Sequence, residues 1–214
     1  MSQTNNTLYR GIRMKRIIPF LLILLLSMTG CAAQEEDAEL VADEIVKESE
    51  NMSTIYLAGG CFWGVQKFFD QFDGVIATEV GYANGPEEEP SYREVGDGSG
   101  HAETVKIIYD PSIITLTDLL DYYFMIIDPL SVNKQGNDRG IQYRTGIYYT
   151  NEDQIAEIEA VYKQQEDKTG ADLAVEMEPL KNFYTAEEYH QKYLDKNPGG
   201  YCHIPASMFR LEQK

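Results

Sequence analysis

The sequence predicts an α+β domain with a mixed sheet over residues 51–214, and three observations predict it. Strand-like and helix-like segments follow one another as β-α-β-β-α-β and then α-β-α, and the first six match the ferredoxin-like split βαβ arrangement. The Gly-rich stretches 83–102 and 129–143 and the irregular tail from Asn197 are too long to be simple connections; loops of that kind in a compact domain usually carry function. Residues 1–50 differ in composition from the rest and stand outside the fold.

Thr54–Ala58 is an apolar strand ended by Gly59 and Gly60. Phe62, Val65, Phe68, Phe69 and Phe72 then recur at helical spacing. Val75–Tyr82 is strand-like, and Thr104–Tyr109 alternates as another strand closed by Asp110-Pro111. Leu116–Ile127 is a buried helix stopped by Pro129, and Thr145–Tyr149 is the next strand. Residues 151–168 form an amphipathic helix with Ile155, Ile158, Val161 and Tyr162 on one face. Leu173–Met177 predicts a further strand. Thr185-Ala-Glu-Glu188 has the form of a capping box that opens a helix holding Tyr189 and Tyr193.

Composition excludes several functions. Lys and Arg number 18 against 35 Asp and Glu, a net charge of −17, with no basic stripe to attract a polyphosphate, so nucleic-acid binding is not expected. Only three Cys and three His are present, and the nearest two Cys are 30 positions apart, which leaves no paired ligand spacing for a metal.

The N-terminus reads as an address. Arg10, Arg13, Lys15 and Arg16 precede a run of mainly apolar residues from Ile17 to Met28, the layout of an export signal and short for a membrane span. Ser27-Met-Thr-Gly-Cys31 resembles a bacterial lipobox, in which Cys31 carries lipid; Met28 stands where Leu is usual. An ordinary signal peptide or uncleaved anchor is the alternative. Residues 32–50 hold eight acids and one Lys, with no aromatic, the composition of a solvated linker. Without the basic leader, residues 32–214 carry −21. The predicted organisation is a signal at 1–31, a linker at 32–50 and a folded domain at 51–214, exported and tethered by lipid at the cell envelope or periplasm.

Cys61 and Cys202 remain for the domain, 141 positions apart. A structural disulfide is one reading of such a pair in an exported protein. A redox pair is the other. Cys61 follows two glycines at the mouth of a helix, where backbone N–H groups and the helix dipole favour a thiolate of lowered pKa. Phe62 and Trp63, the single Trp, set aromatic surface beside it. Cys202 lies in Asn197-Pro-Gly-Gly-Tyr-Cys-His203, a segment free to bring its sulfur to another.

Gly60-Cys-Phe-Trp-Gly64 resembles the hallmark of the peptide methionine sulfoxide reductase A family. The resemblance extends over residues 53–205 through Gly81-Tyr-Ala-Asn-Gly85, Pro90-Ser-Tyr-Arg-Glu-Val95, Gly100-His-Ala-Glu103, Tyr109-Asp-Pro111, Gln135-Gly-Asn-Asp-Arg-Gly-Ile-Gln-Tyr-Arg144, and Asn197-Pro198 through Tyr201-Cys202. Val95-Gly-Asp-Gly98 departs from the usual Val-Cys-Ser-Gly, and the further C-terminal Cys of some members is absent.

The resemblance implies a peptide-methionine (S)-S-oxide reductase that repairs oxidised methionine in exported proteins. Cys61 would attack the sulfoxide sulfur and become a sulfenic acid, with Glu103, its pKa raised by burial, as the acid. Tyr92 and Tyr143 would donate to the oxygen, Phe62 and Trp63 would wall a methyl pocket, and Asp138 would order the site. Cys202 would resolve the sulfenic acid as a disulfide, which a thioredoxin-like reductant reduces. No cofactor or metal is implied, and the enzyme would be a monomer meeting a membrane only through its lipid. A cysteine hydrolase using His101, His190 or His203 as base, and a non-catalytic lipoprotein with a permanent Cys61–Cys202 disulfide, are the rivals.

Overall fold

The computed structural model describes residues 52–86 and 89–211; the leader, Cys31 and the acidic linker lie outside the described residues. The chain runs through β1 (Ser53–Gly59), α1 (Phe62–Phe69), β2 (Val75–Ala83), α2 (Tyr92–Gly96), β3 (Ala102–Tyr109) and α3 (Leu116–Ile126). A hairpin of β4 (Lys134–Gln135) and β5 (Asp138–Arg139) follows, then β6 (Thr145–Tyr149), α4 (Ile155–Thr169), β7 (Glu176–Pro179), β8 (Phe183–Thr185) and the single turn α5 (Tyr193–Lys196).

The main sheet has the order β7-β6-β1-β3-β2-β8. Its central part, β6-β1-β3-β2, is antiparallel throughout and carries α1 and α3 as its crossovers, which is the split βαβ arrangement expected from the segment order. β7 adds in parallel to β6 and β8 antiparallel to β2, so the sheet is mixed.

Alternation along the strands divides the apolar residues between two faces. Ile55, Leu57, Val105 and Ile107 form the main core with Val65, Phe68 and Phe69 of α1 and Leu119, Leu120 and Tyr123 of α3. Each such side chain contributes about 1.5–3 kcal/mol on leaving water. The opposite face holds a smaller cluster of Tyr56, Ala58, Ala83, Ala102 and Tyr148. The one polar atom Tyr123 takes into the core is satisfied, since its hydroxyl donates to Ala58 O at 2.7 Å. Thr115 and Asp118 close a capping box at the start of α3, and Gly170 ends α4 at φ 67°, a left-handed cap suited to glycine.

Three expectations need correction. The strand placed at Leu173–Met177 begins only at Glu176, because the carbonyls of Leu173 and Val175 accept the Tyr162 hydroxyl and Ala174 N–H donates to Pro129 O. The capping box at Thr185–Glu188 does not form. Thr185 ends β8 opposite Gly81, its hydroxyl donates to Glu79, and helix appears only at Tyr193. The stretches 83–102 and 129–143 are more ordered than expected, since they contain α2, capped by Ser91 and Glu94, and the β4–β5 hairpin.

Register brings the ends that matter together. Gly59 pairs with Thr145, and Glu103 stands opposite Tyr82. The end of β1, the end of β2 and the starts of β3 and β6 therefore share one end of the sheet.

Candidate active site

Cys61 sits at that end as the N-cap of α1. Gly60 makes the turn into it at φ +82°, and a Cβ there would stand 2.6 Å from Gln135 Cβ, so both conformation and space require glycine. The Cys61 thiol is almost fully buried. The nearby Trp63 amide lowers the thiol pKa, the helix-terminus effect expected from the sequence, yet burial and then the Glu103 charge push it well above its ordinary value, and the Cys61 side chain makes no cap hydrogen bond. Helix position alone does not make this cysteine a resting thiolate, because the desolvation produced by the tertiary fold outweighs one N–H donor.

Glu103 is buried to 2% exposure, and its Oε2 accepts the Phe62 amide at 3.0 Å. Burial raises its pKa to about 8 against that hydrogen bond, so the carboxyl holds its proton at neutrality and no longer repels a thiolate at Cys61. Tyr92 and Tyr143 face the same centre. Burial and then the Glu103 charge raise both hydroxyls, Tyr92 to about 12, with Cys61 a further contributor to each. They are neutral donors across the physiological range.

Phe62 and Trp63 leave the helix start in different directions, as neighbouring helical residues must. Phe62 is buried against Tyr82 and His190, with ring centroids 5.9 and 5.2 Å away. Trp63 is half-buried and stacks on Tyr193 at 3.8 Å and 15°. Asp138 lies on β5, raises the pKa of the nearby Tyr201 hydroxyl after burial has done so, and places Oδ2 3.6 Å from His203 Nδ1.

Cys202 is not on a loose tail. Its sulfur rests on Gly64 in the first turn of α1, where a Cβ would stand 2.5 Å away, and it accepts the Ile204 amide at 3.3 Å. Ile204 is buried against the same glycine. Further on, Gln71 of the α1 terminus donates to Met208 O and accepts the Leu211 amide. Cys61 and Cys202 are both free thiols, and Gly64, on which the Cys202 sulfur rests, follows Cys61 by three residues, about one turn of α1. Cys202 also lines a cavity of about 650 Å³ with Lys67, Leu194, Ile204, Phe209 and Arg210; Cys61 and Glu103 are not in its wall.

A profile for peptide methionine sulfoxide reductases matches residues 53–214. The chain belongs to the peptide methionine sulfoxide reductase family. The reductase is 55% identical over 157 residues to the peptide methionine sulfoxide reductase MsrA of Lachnoclostridium phytofermentans, covering 73% of this chain and 95% of that one. It is 56% identical over 154 residues to MsrA of Clostridium botulinum strain Hall, covering 72% and 98%. Among solved structures, Mxr1 of Saccharomyces cerevisiae in reduced form superposes with a TM-score of 0.69 at 41% identity, covering 72% of this chain and 90% of that one. Methionine sulfoxide reductase A of Corynebacterium diphtheriae gives 0.66 at 36%, covering 72% and 84%. The chain is thus an oxidoreductase of the MsrA type.

All the residues singled out in the reductase domain, Cys61, Phe62, Trp63, Tyr92, Glu103, Asp138, Tyr143 and Cys202, lie at or beside this end of the sheet. The reductase also relies on residues the sequence reading left without a role. Arg144, 8% exposed, donates to Glu176, Gly100 O, Ile141 O and Asn84 O, fastening the loops that carry Tyr92 and Tyr143 to the sheet edge. Gln135 holds the hairpin by bonding both the amide and the carbonyl of Asp128. An Arg and a Gln within a Gly-rich region were the available signals, but three of the four Arg144 partners, Glu176, Gly100 and Asn84, lie 32, 44 and 60 positions away. Among the described residues no group of three or more His, Cys, Asp or Glu is placed to hold a metal ion.

Proposed function

We propose that the chain is an exported peptide-methionine (S)-S-oxide reductase in which Cys61 is the nucleophile and Cys202 the resolving thiol. The observation that carries the reading is Glu103, a buried carboxyl with its pKa at about 8, hydrogen-bonded to the amide next to Cys61.

The sulfoxide sulfur binds against Phe62 and Trp63, and its oxygen takes hydrogen bonds from Tyr92 and Tyr143. Glu103 protonates that oxygen as Cys61 sulfur attacks, the thiol giving up its proton in the same exchange. The sulfoxide sulfur gains two electrons and leaves as thioether; the oxygen passes to Cys61, now a sulfenic acid. Cys202 thiol displaces water from that sulfur to form the Cys61–Cys202 disulfide. A thioredoxin-like dithiol then restores both thiols and is itself oxidised. The position of Cys202 on Gly64 suits its part, and the cavity beside it gives the reductant access away from the substrate pocket. Asp138 orders the tail through Tyr201 and His203. The hydrolase reading has less support, since His190 Nδ1 accepts the Trp63 indole and His203 Nδ1 faces Asp138 rather than the nucleophile.

The decisive assay supplies the purified protein with separated sulfoxide epimers of a methionine peptide and a dithiol. The S epimer is consumed and the R epimer is not; failure to consume the S epimer would overturn the reading. The leader and Cys31 support export with a lipid anchor facing the cell envelope. In cells fed labelled fatty acid, label enters the protein and is lost in Cys31→Ala. Equal labelling of both chains would refute the anchor.

A further inference from the structure

We infer that His190 is a positioning residue that fixes the indole of Trp63, with Glu187 as its own anchor; this rests on the reading that Trp63 walls the methyl pocket. Neither residue has a part in the chemistry proposed above.

The indole Nε1–H of Trp63 donates to His190 Nδ1 at 3.0 Å. Indole nitrogen is only a donor, so Nδ1 must offer its lone pair, and the imidazole proton is on Nε2. Burial lowers the pKa of His190, opposed by the Glu187 charge, which keeps the ring neutral and able to accept. The ring is 1% exposed, and it is the hub of the pocket's aromatic residues, with centroids 4.4 Å from Tyr92, 5.2 Å from Phe62 and 5.6 Å from Trp63. On its other side the indole stacks on Tyr193, three residues after His190. One short segment therefore holds Trp63 by its edge and by its face.

Glu187 ties that segment to the rest of the site. Its Oε2 accepts the Tyr82 hydroxyl at 2.8 Å and its Oε1 the amide of Tyr92 at 3.1 Å. The His190 amide donates to the Glu187 carbonyl at 2.9 Å, and His190 Nε2 lies 3.9 Å from Glu187 Oε2, beyond hydrogen-bond length but within reach of its charge. Glu187 thus sets His190 and the start of the helix carrying Tyr92 in one frame. A wall held so firmly loses little freedom when substrate arrives, which favours binding more than the chemical step.

The chain has one Trp, so a nitrogen-labelled sample gives one indole N–H resonance. Wild type shows that proton shifted downfield and protected from exchange. In His190→Phe it moves upfield and exchanges at least about tenfold faster, and KM for a methionine sulfoxide peptide rises about fivefold or more while kcat changes less. His190→Asn places an amide oxygen near the former Nδ1 and restores both resonance and KM to within about twofold. An unchanged resonance in His190→Phe overturns the proposal, and so does a loss in His190→Asn equal to that in His190→Phe, since the hydrogen bond would then not be the cause. The resonance reads the contact even if no sulfoxide is reduced, so it fails separately from the proposed activity.

Discussion

Glu103→Gln slows sulfoxide reduction about 10²–10⁴-fold, the range for removing a general acid, while leaving substrate affinity nearly intact. Glutamine keeps an oxygen to accept the Phe62 amide, so the fold at the mouth of α1 is maintained and the missing function is the proton. Single-turnover measurement of thioether release reads the step directly; an unchanged rate removes Glu103 as the acid. The same carboxyl sets a pH dependence. With its pKa at about 8, the acid form is lost as pH rises through that value, so the chemical rate in the wild type falls on the alkaline side while the variant lacks that limb. Stability moves in a related way. The native carboxyl keeps a proton that the unfolded chain has released, so the wild type loses stability as pH rises from the ordinary glutamate range to about 8 and is level above it. Glu103→Gln removes that loss, and denaturant unfolding should find it more stable than wild type at pH 8 by on the order of a few kcal/mol. A less active, more stable variant is the expected mark of a desolvated catalytic acid.

Cys202→Ser completes about one turnover per chain and then stops when a thioredoxin-type protein is the sole reductant. Cys61 is left as a sulfenic acid, which a sulfenic-specific trapping reagent captures, whereas the wild type passes on to the disulfide. The effect on steady-state turnover is close to complete, yet the first equivalent of thioether appears at the wild-type rate, because Cys202 stands on Gly64 and the proposed chemistry of the first step runs through Cys61, Glu103 and the two tyrosines. Full steady-state turnover of Cys202→Ser under those conditions would contradict the resolving role.

Much of the fold was legible because its signals are local. The strand-like run Val75–Tyr82, the alternation in Thr104–Tyr109, helical spacing from Phe62 to Phe69, and Gly59-Gly60 before Cys61 are all carried by neighbouring residues. Thr185-x-x-Glu188 has an equally local signal that lost to the sheet, where Thr185 gains a ladder position beside Gly81 and a hydroxyl bond to Glu79. The acidity of Cys61 was misjudged for the same reason. A helix N-terminus is visible in sequence, but the apolar packing that desolvates the sulfur is assembled from remote segments. The candidate site residues come from motif resemblance. Trp63 and His190 are 127 positions apart and Lys192 reaches back to Asp70, so no short pattern reveals such partners.

The bond from the Phe62 amide to Glu103 is made by main chain. Every amino acid except proline supplies that donor, so the side chain at position 62 can be exchanged to reshape the proposed pocket without deleting the tether that holds the proposed acid beside the proposed nucleophile. On the proposed mechanism, substrate preference and proton delivery are consequently separable in design: an engineer could vary the aromatic wall and still inherit a carboxyl held by the same main-chain bond.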